Sequence, residues 1–181
     1  MPLPVAPQGG LVAAVEWRAA EASLALDLAE LAFDAGRLAA RAAARSTGAV
    51  QRLALDEAAA FSWWTGDRVS ADSLALWLSC RIGAAGEGGD GLIRTAWAAR
   101  RLMAPAGATG LAGRLAETLG GEGRSDPALI GDVATEIAGL AAVSDQTRGC
   151  ALLHLWRALE ERPDHLRGLE AAVLAARVAA G

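Results

Sequence analysis

Apolar side chains recur along this chain at the spacing of an α-helix, and this pattern constrains the fold most strongly. Between residues 11 and 44 they return every three to five positions, which is the period of one buried helix face. Its members are Val12, Val15, Ala19, Leu24, Leu28, Leu31, Ala35 and Leu38. The alternation of β-branched and polar residues that is typical of strands occurs nowhere. We therefore predict an all-α fold.

Capping residues, prolines and glycines predict seven to eight helices with short connections. Asp126–Pro127 is a strong start, because a capping side chain is followed by proline at the first helical position. Ser144 and Ser70 are candidate caps of two other helices. Gly36 is a candidate bend in the first helix. Five glycines between Gly83 and Gly91 predict a loop.

Length and composition predict a single globular unit. The chain has 181 residues, of which 53% are hydrophobic, and a domain of this size buries roughly 70% of its unfolded surface. Residues 1–10 contain three of the six prolines and predict a flexible N-terminal arm. Residues 11–181 are predicted to form one compact helical domain.

Charge and cysteine content limit the classes of protein. The net charge of −4, with no lysine, excludes a basic nucleic-acid footprint over the whole domain. Cys80 and Cys150 have no partner pattern, so a disulfide scaffold is not expected. Without a signal-peptide pattern or an apolar run of about 18 residues, we expect a cytoplasmic protein that does not enter a membrane.

Residues that carry chemistry are few and scattered. The only histidines, His154 and His165, lie eleven positions apart without a metal-binding spacing. The glycine-rich segment lacks the lysine and the preceding strand of a phosphate loop. Cys150 and His154 share a helix face at i and i+4, and with Trp156 they are the candidates for a ligand or catalytic pocket. We expect no metal, no cofactor and no enzymatic activity.

Tryptophan content indicates a contact surface. The chain has six tryptophans and no tyrosine. Trp63 and Trp64 are adjacent, so on a helix their rings diverge by about 100° and at most one faces the core. Together with Phe61 they are the candidate interface residues.

The segment from Ile137 to Thr147 resembles the turn of helix-turn-helix DNA readers, in which a Val-Ser turn leads into the recognition helix. Ala142 stands where that family usually has glycine, and Arg148 where a buried aliphatic residue is usual. The resemblance implies a DNA-binding regulator within residues 135–153. Its candidate base-reading side chains are Gln146, Thr147 and Arg148.

A longer segment, from Leu55 to Ser70, is similar to the N-terminal helical segment of Fic-like proteins, and residues 152–178 are similar to the last helices of their core. The Fic catalytic loop requires asparagine, which this chain lacks, and Arg162–His165 does not match its histidine motif. Thr65 stands where the family has a regulatory glutamate. The resemblance therefore implies a non-catalytic relative.

These observations favour a non-enzymatic helical interaction or regulatory module that acts through protein contacts, with self-association into a homo-oligomer. Two alternatives stay open at this point. One is the DNA-binding regulator near residues 135–153, and the other is a small-ligand or enzymatic pocket near His154.

Overall fold

The computed structural model describes residues 13–44, 47–80, 89–105, 110–119, 126–161 and 163–180. Within these ranges the chain forms helices joined by turns, and no strand occurs. The helices of the described ranges are α1 (Ala14–Ser23), α2 (Ala25–Ala43), α3 (Thr47–Thr65), α4 (Ala71–Cys80), α5 (Gly89–Met103), α6 (Leu111–Leu119), α7 (Pro127–Ala138), α8 (Asp145–Leu159) and α9 (Asp164–Ala179). The all-α prediction is confirmed.

The predicted count of seven to eight helices is too low, because the first long helix is interrupted at Leu24. The Ser23 hydroxyl donates to the carbonyl oxygen of Ala20 at 2.7 Å, and the Leu24 amide contacts the carbonyls of both Ala20 and Glu21 at 3.1 Å. This tight turn moves Leu24 out of α geometry, to φ −108° and ψ 14°. Gly36, the predicted bend, lies inside the continuous helix α2.

The predicted helix starts agree with the capping geometry. The Asp126 carboxylate accepts the amide of Ala128 at 2.9 Å ahead of α7. The Ser144 hydroxyl accepts the amide of Thr147 at 3.2 Å ahead of α8, and Ser70 caps α4 in the same way. Side-chain oxygens thus replace the acceptors that the first helical turn lacks.

Two predictions concern residues outside the described ranges. The N-terminal arm at residues 1–10 lies there, as does most of the predicted loop between Gly83 and Gly91. The end of that loop is corrected, because α5 already begins at Gly89.

Helix α9 contributes to both parts of the hydrophobic core. Its Ala171, Leu174 and Val178 pack with buried residues of α6, α7 and α8. Its Leu169 and Val173 pack with buried residues of α3, α4 and α5. The α6–α8 and α3–α5 groups therefore share one central helix.

Helix α1 is attached to the start of α8 through Glu21. One Glu21 carboxylate oxygen accepts the backbone amide of Ser144 at 2.7 Å and the hydroxyl of Thr147 at 3.0 Å. Hydrogen bonding from Ser144, and then from Thr147, lowers the pKa of Glu21 below its ordinary value of 4.5. The ionised carboxylate also lies at the positive end of α8.

Replacing Glu21 with glutamine is expected to destabilise the protein only at pH values at which Glu21 is ionised. Because its pKa is lower in the folded state, the ionised group contributes stability above about pH 4.5, and this is lost as the pH falls through the folded pKa. The difference in urea midpoint between wild type and Glu21→Gln should shrink from pH 7 to pH 3. Glu16→Gln, an exposed change on the same helix, is the control. A difference that does not depend on pH would contradict this role.

Candidate interaction surfaces

The turn between α3 and α4 is built around the buried side chain of Ser62. Its hydroxyl donates to the carbonyl of Ala59 at 2.7 Å and accepts the amide of Val69 at 2.9 Å. Gly66 and Arg68 adopt left-handed φ values of 94° and 52°, which is uncommon for a residue with a side chain. The chain therefore reverses directly after the two adjacent tryptophans and holds the end of α3 in place.

An ion pair attaches this turn to α5. The Asp67 carboxylate accepts two hydrogen bonds from Arg94, at 2.5 Å to Nη2 and 3.1 Å to Nε. Hydrogen bonding to Asp67 raises the pKa of Arg94 above its ordinary value. A Cβ atom at Gly91 would lie 3.0 Å from an Asp67 carboxylate oxygen, so a larger residue there would require the Asp67 side chain to shift.

Both tryptophans of the pair are exposed, Trp63 by 60% and Trp64 by 51%. The Arg68 guanidinium carbon lies 5.8 Å from the ring centroid of Trp63, and that of Arg157 from α8 lies 5.1 Å from the ring of Trp64. Phe61 is half-buried and packs against the α3–α5 part of the core. We call Trp63, Trp64, Arg68 and Arg157 the tryptophan surface.

A second apolar surface lies on α2, where the prediction of a buried helix face is wrong for the single chain. Leu24, Leu31 and Leu38 are each at least half exposed, and Leu28 is half-buried. Leu28, Leu31, Ala35 and Leu38 follow one another at intervals of three, four and three residues, the heptad spacing of a coiled-coil seam. Leu24 lies directly before the first residue of α2. We call Leu28, Leu31, Ala35 and Leu38 the α2 seam.

The charged residues of α2 all lie along one side of the helix. At 100° per residue, the side chains of Asp27, Glu30, Asp34, Arg37 and Arg41 fall within a sector of about 80° beside the seam. The acidic residues occupy the N-terminal half and the arginines the C-terminal half. Asp34 and Arg37 form an exposed ion pair at 3.2 Å. The helix thus has a polarised charged stripe next to an exposed apolar one.

The period of the α2 seam can be predicted from the sequence, but its exposure cannot, because the same three- and four-residue steps also fit a helix buried inside the chain. The further signal in the sequence is the charged stripe that is polarised along the helix axis. Leu26 and Phe33, on the side opposite the seam, are also exposed. Within the described residues α2 contacts α1 and α3, and these contacts leave Leu26, Leu31, Phe33 and Leu38 at least half exposed.

The candidate base-reading residues lie in the first turn of α8. Thr147 is buried and bonded to Ser144 and Glu21. Arg148 pairs with Asp145 of its own helix, and Gln146 is half-buried. The Glu21 carboxylate therefore already accepts hydrogen bonds from the Ser144 amide and the Thr147 hydroxyl at the start of α8.

The three candidate pocket residues do not face one point. Trp156 is fully buried in the core, whereas Cys150 and His154 are exposed on another face of α8. The Trp17 ring of α1 lies beside His154, with 6.4 Å between ring centroids. Cys150 has a free thiol.

In the described ranges, no group of three or more histidine, cysteine or acidic side chains is arranged to hold a metal ion. None of the helices there combines the length and apolar character needed to cross a bilayer. Comparisons of this chain with protein-family models, curated proteins and solved structures found no match.

Proposed function

We propose that this protein is a non-enzymatic helical module that acts through protein contacts and self-associates through the α2 seam. The observation that supports this most strongly is the exposure of Leu31 and Leu38 along one heptad-spaced stripe of α2. Burying one leucine side chain is favourable by about 1.5–3 kcal/mol. An exposed apolar stripe with charged residues along one flank is typical of a contact surface.

The tryptophan surface is a second contact region in this proposal. Tryptophan and arginine are the residues that most often dominate binding energy at protein interfaces. The turn anchored by Ser62 and by the Asp67–Arg94 ion pair restrains the backbone beside both rings, and the guanidinium groups of Arg68 and Arg157 lie over them. Rings positioned in this way lose little conformational freedom when a partner covers them.

The two alternatives have less support. A recognition helix binds DNA phosphates partly with its N-terminal amides, but at α8 the Glu21 carboxylate accepts the Ser144 amide and adds a negative charge. A pocket formed by Cys150, His154 and Trp156 would need side chains that converge, and Trp156 points into the core.

Light scattering across a concentration series tests the proposal. The molar mass of wild type is expected to rise with concentration from that of a monomer to a multiple of it. Leu31→Glu is expected to weaken association about 100-fold, because it places a charge within the seam. Leu26→Glu is the matched control, since Leu26 lies on the same helix, is 87% exposed and is off the seam.

Circular dichroism of both variants at a concentration where they are monomeric shows whether their helices remain intact. A wild-type protein that stays monomeric at every concentration would contradict self-association. Equal weakening by Leu31→Glu and Leu26→Glu would contradict the assignment of the seam.

A further inference from the structure

We propose that the partner of the α2 seam is α2 of a second copy, packed antiparallel around a twofold axis. This inference rests on the proposed self-association and adds its orientation. Two copies related by a twofold axis present the same surface to each other, so the surface must be complementary to itself. The α2 seam and the charged stripe of α2 are both complementary to themselves when the two helices pack antiparallel.

The residues of the α2 seam pair with one another when the second helix runs antiparallel to the first. Antiparallel coiled coils place a first-position (a) residue of one helix against a fourth-position (d) residue of the other. In the α2 register this puts Leu28 opposite Leu38 of the second copy, and Leu31 opposite Ala35. Each match occurs twice because of the symmetry, so one alignment buries most of the seam.

The charges match in the same alignment. Asp27 and Arg41 both lie at the position flanking the seam on its charged side, 14 residues apart. Antiparallel packing brings Asp27 of each copy beside Arg41 of the other. The two Asp34 residues approach each other at the axis, but each is already paired with Arg37 of its own chain. A parallel pair would instead set the two acidic halves side by side.

Small side chains on the other flank of the seam permit close packing. Ala25 and Ala32 occupy the flanking position there, and both are exposed. Helices approach most closely where their contacting side chains are small. The contact is therefore polar on one flank and tightly packed on the other.

A charge exchange tests the orientation. Asp27→Arg alone and Arg41→Asp alone each place like charges across the antiparallel contact, and each is expected to weaken self-association about tenfold. The double variant Asp27→Arg/Arg41→Asp restores opposite charges and should associate like wild type. The two positions are about 21 Å apart along one helix, so no contact within a single helix explains such a rescue.

Disulfide trapping gives an independent readout, in a background with Cys80→Ser and Cys150→Ser. Under oxidation, a mixture of Leu28→Cys and Leu38→Cys proteins is expected to form mixed dimers. Leu28→Cys alone should not, because antiparallel packing separates its two copies by about 15 Å, beyond disulfide reach.

The outcomes separate the two proposals. Self-association with efficient trapping of Leu28→Cys to itself, and no rescue by the charge exchange, would overturn the antiparallel arrangement but leave self-association intact. A strictly monomeric wild type would overturn both.

Discussion

Replacing Trp156 with alanine is expected to lower the free energy of unfolding by about 3–5 kcal/mol. Trp156 has no exposed surface and packs in the core shared by α6, α7, α8 and α9. Its removal leaves a large cavity that the surrounding helices fill only in part. Chemical denaturation at one fixed protein concentration measures the loss, because the proposed self-association would make the apparent stability depend on concentration.

Two matched variants show that this effect comes from core packing. Trp63→Ala, at an exposed tryptophan, is expected to cost only about 0.5–1 kcal/mol through its contact with Arg68. Trp156→Phe keeps an aromatic ring and removes an indole N–H that has no acceptor among the described residues, so it should cost about 1–2 kcal/mol. A loss below 1 kcal/mol for Trp156→Ala would contradict its place in the core.

Replacing Gly149 with alanine is expected to destabilise the protein by about 2 kcal/mol, although alanine is the better helix former. A Cβ atom at Gly149 would lie 2.8 Å from the carbonyl oxygen of Ala175 and 3.2 Å from the Cβ of Ala179. The first contact is with backbone, so α8 and α9 must separate to accommodate it. Overpacking of this kind typically costs 1–3 kcal/mol.

The control for Gly149 is Gly131→Ala in α7. A Cβ atom there has no neighbour within 4 Å, so alanine should stabilise the protein by about 0.5–1 kcal/mol through helix propensity alone. The thermal denaturation midpoints of the two variants should therefore shift in opposite directions from that of wild type. A stabilising Gly149→Ala would contradict the close approach of α8 and α9.

The parts of the fold that could be predicted from sequence depend on local chemistry. Asp126–Pro127 and Ser144 specify helix starts through their own side chains and backbone restrictions, so both were found without knowledge of the packing. The four-residue spacing of Leu169 and Val173 predicts that both side chains lie on one face of their helix. These signals lie within a few residues of the structure they produce.

The parts that could not be predicted depend on distant contacts. Glu21 bonds to Ser144 across 123 positions of sequence, and nothing near Glu21 indicates that contact. A stripe of leucines has the same period whether it is buried inside the chain or against another molecule. Trp63 and Trp64 are both exposed at the end of α3, just before the turn at Gly66, whereas the helical pattern alone allows one of them to face the core.

If a second molecule covers α2, as we propose, the backbone hydrogen exchange of α2 depends on protein concentration, and this dependence is the most direct test. Amide exchange in residues 24–41 should be measured on the intact protein at low and at high concentration. If the seam is a self-association surface, exchange there slows at high concentration, while α9 exchanges at the same rate in both samples. Exchange in α2 that stays equally fast at both concentrations would contradict the account.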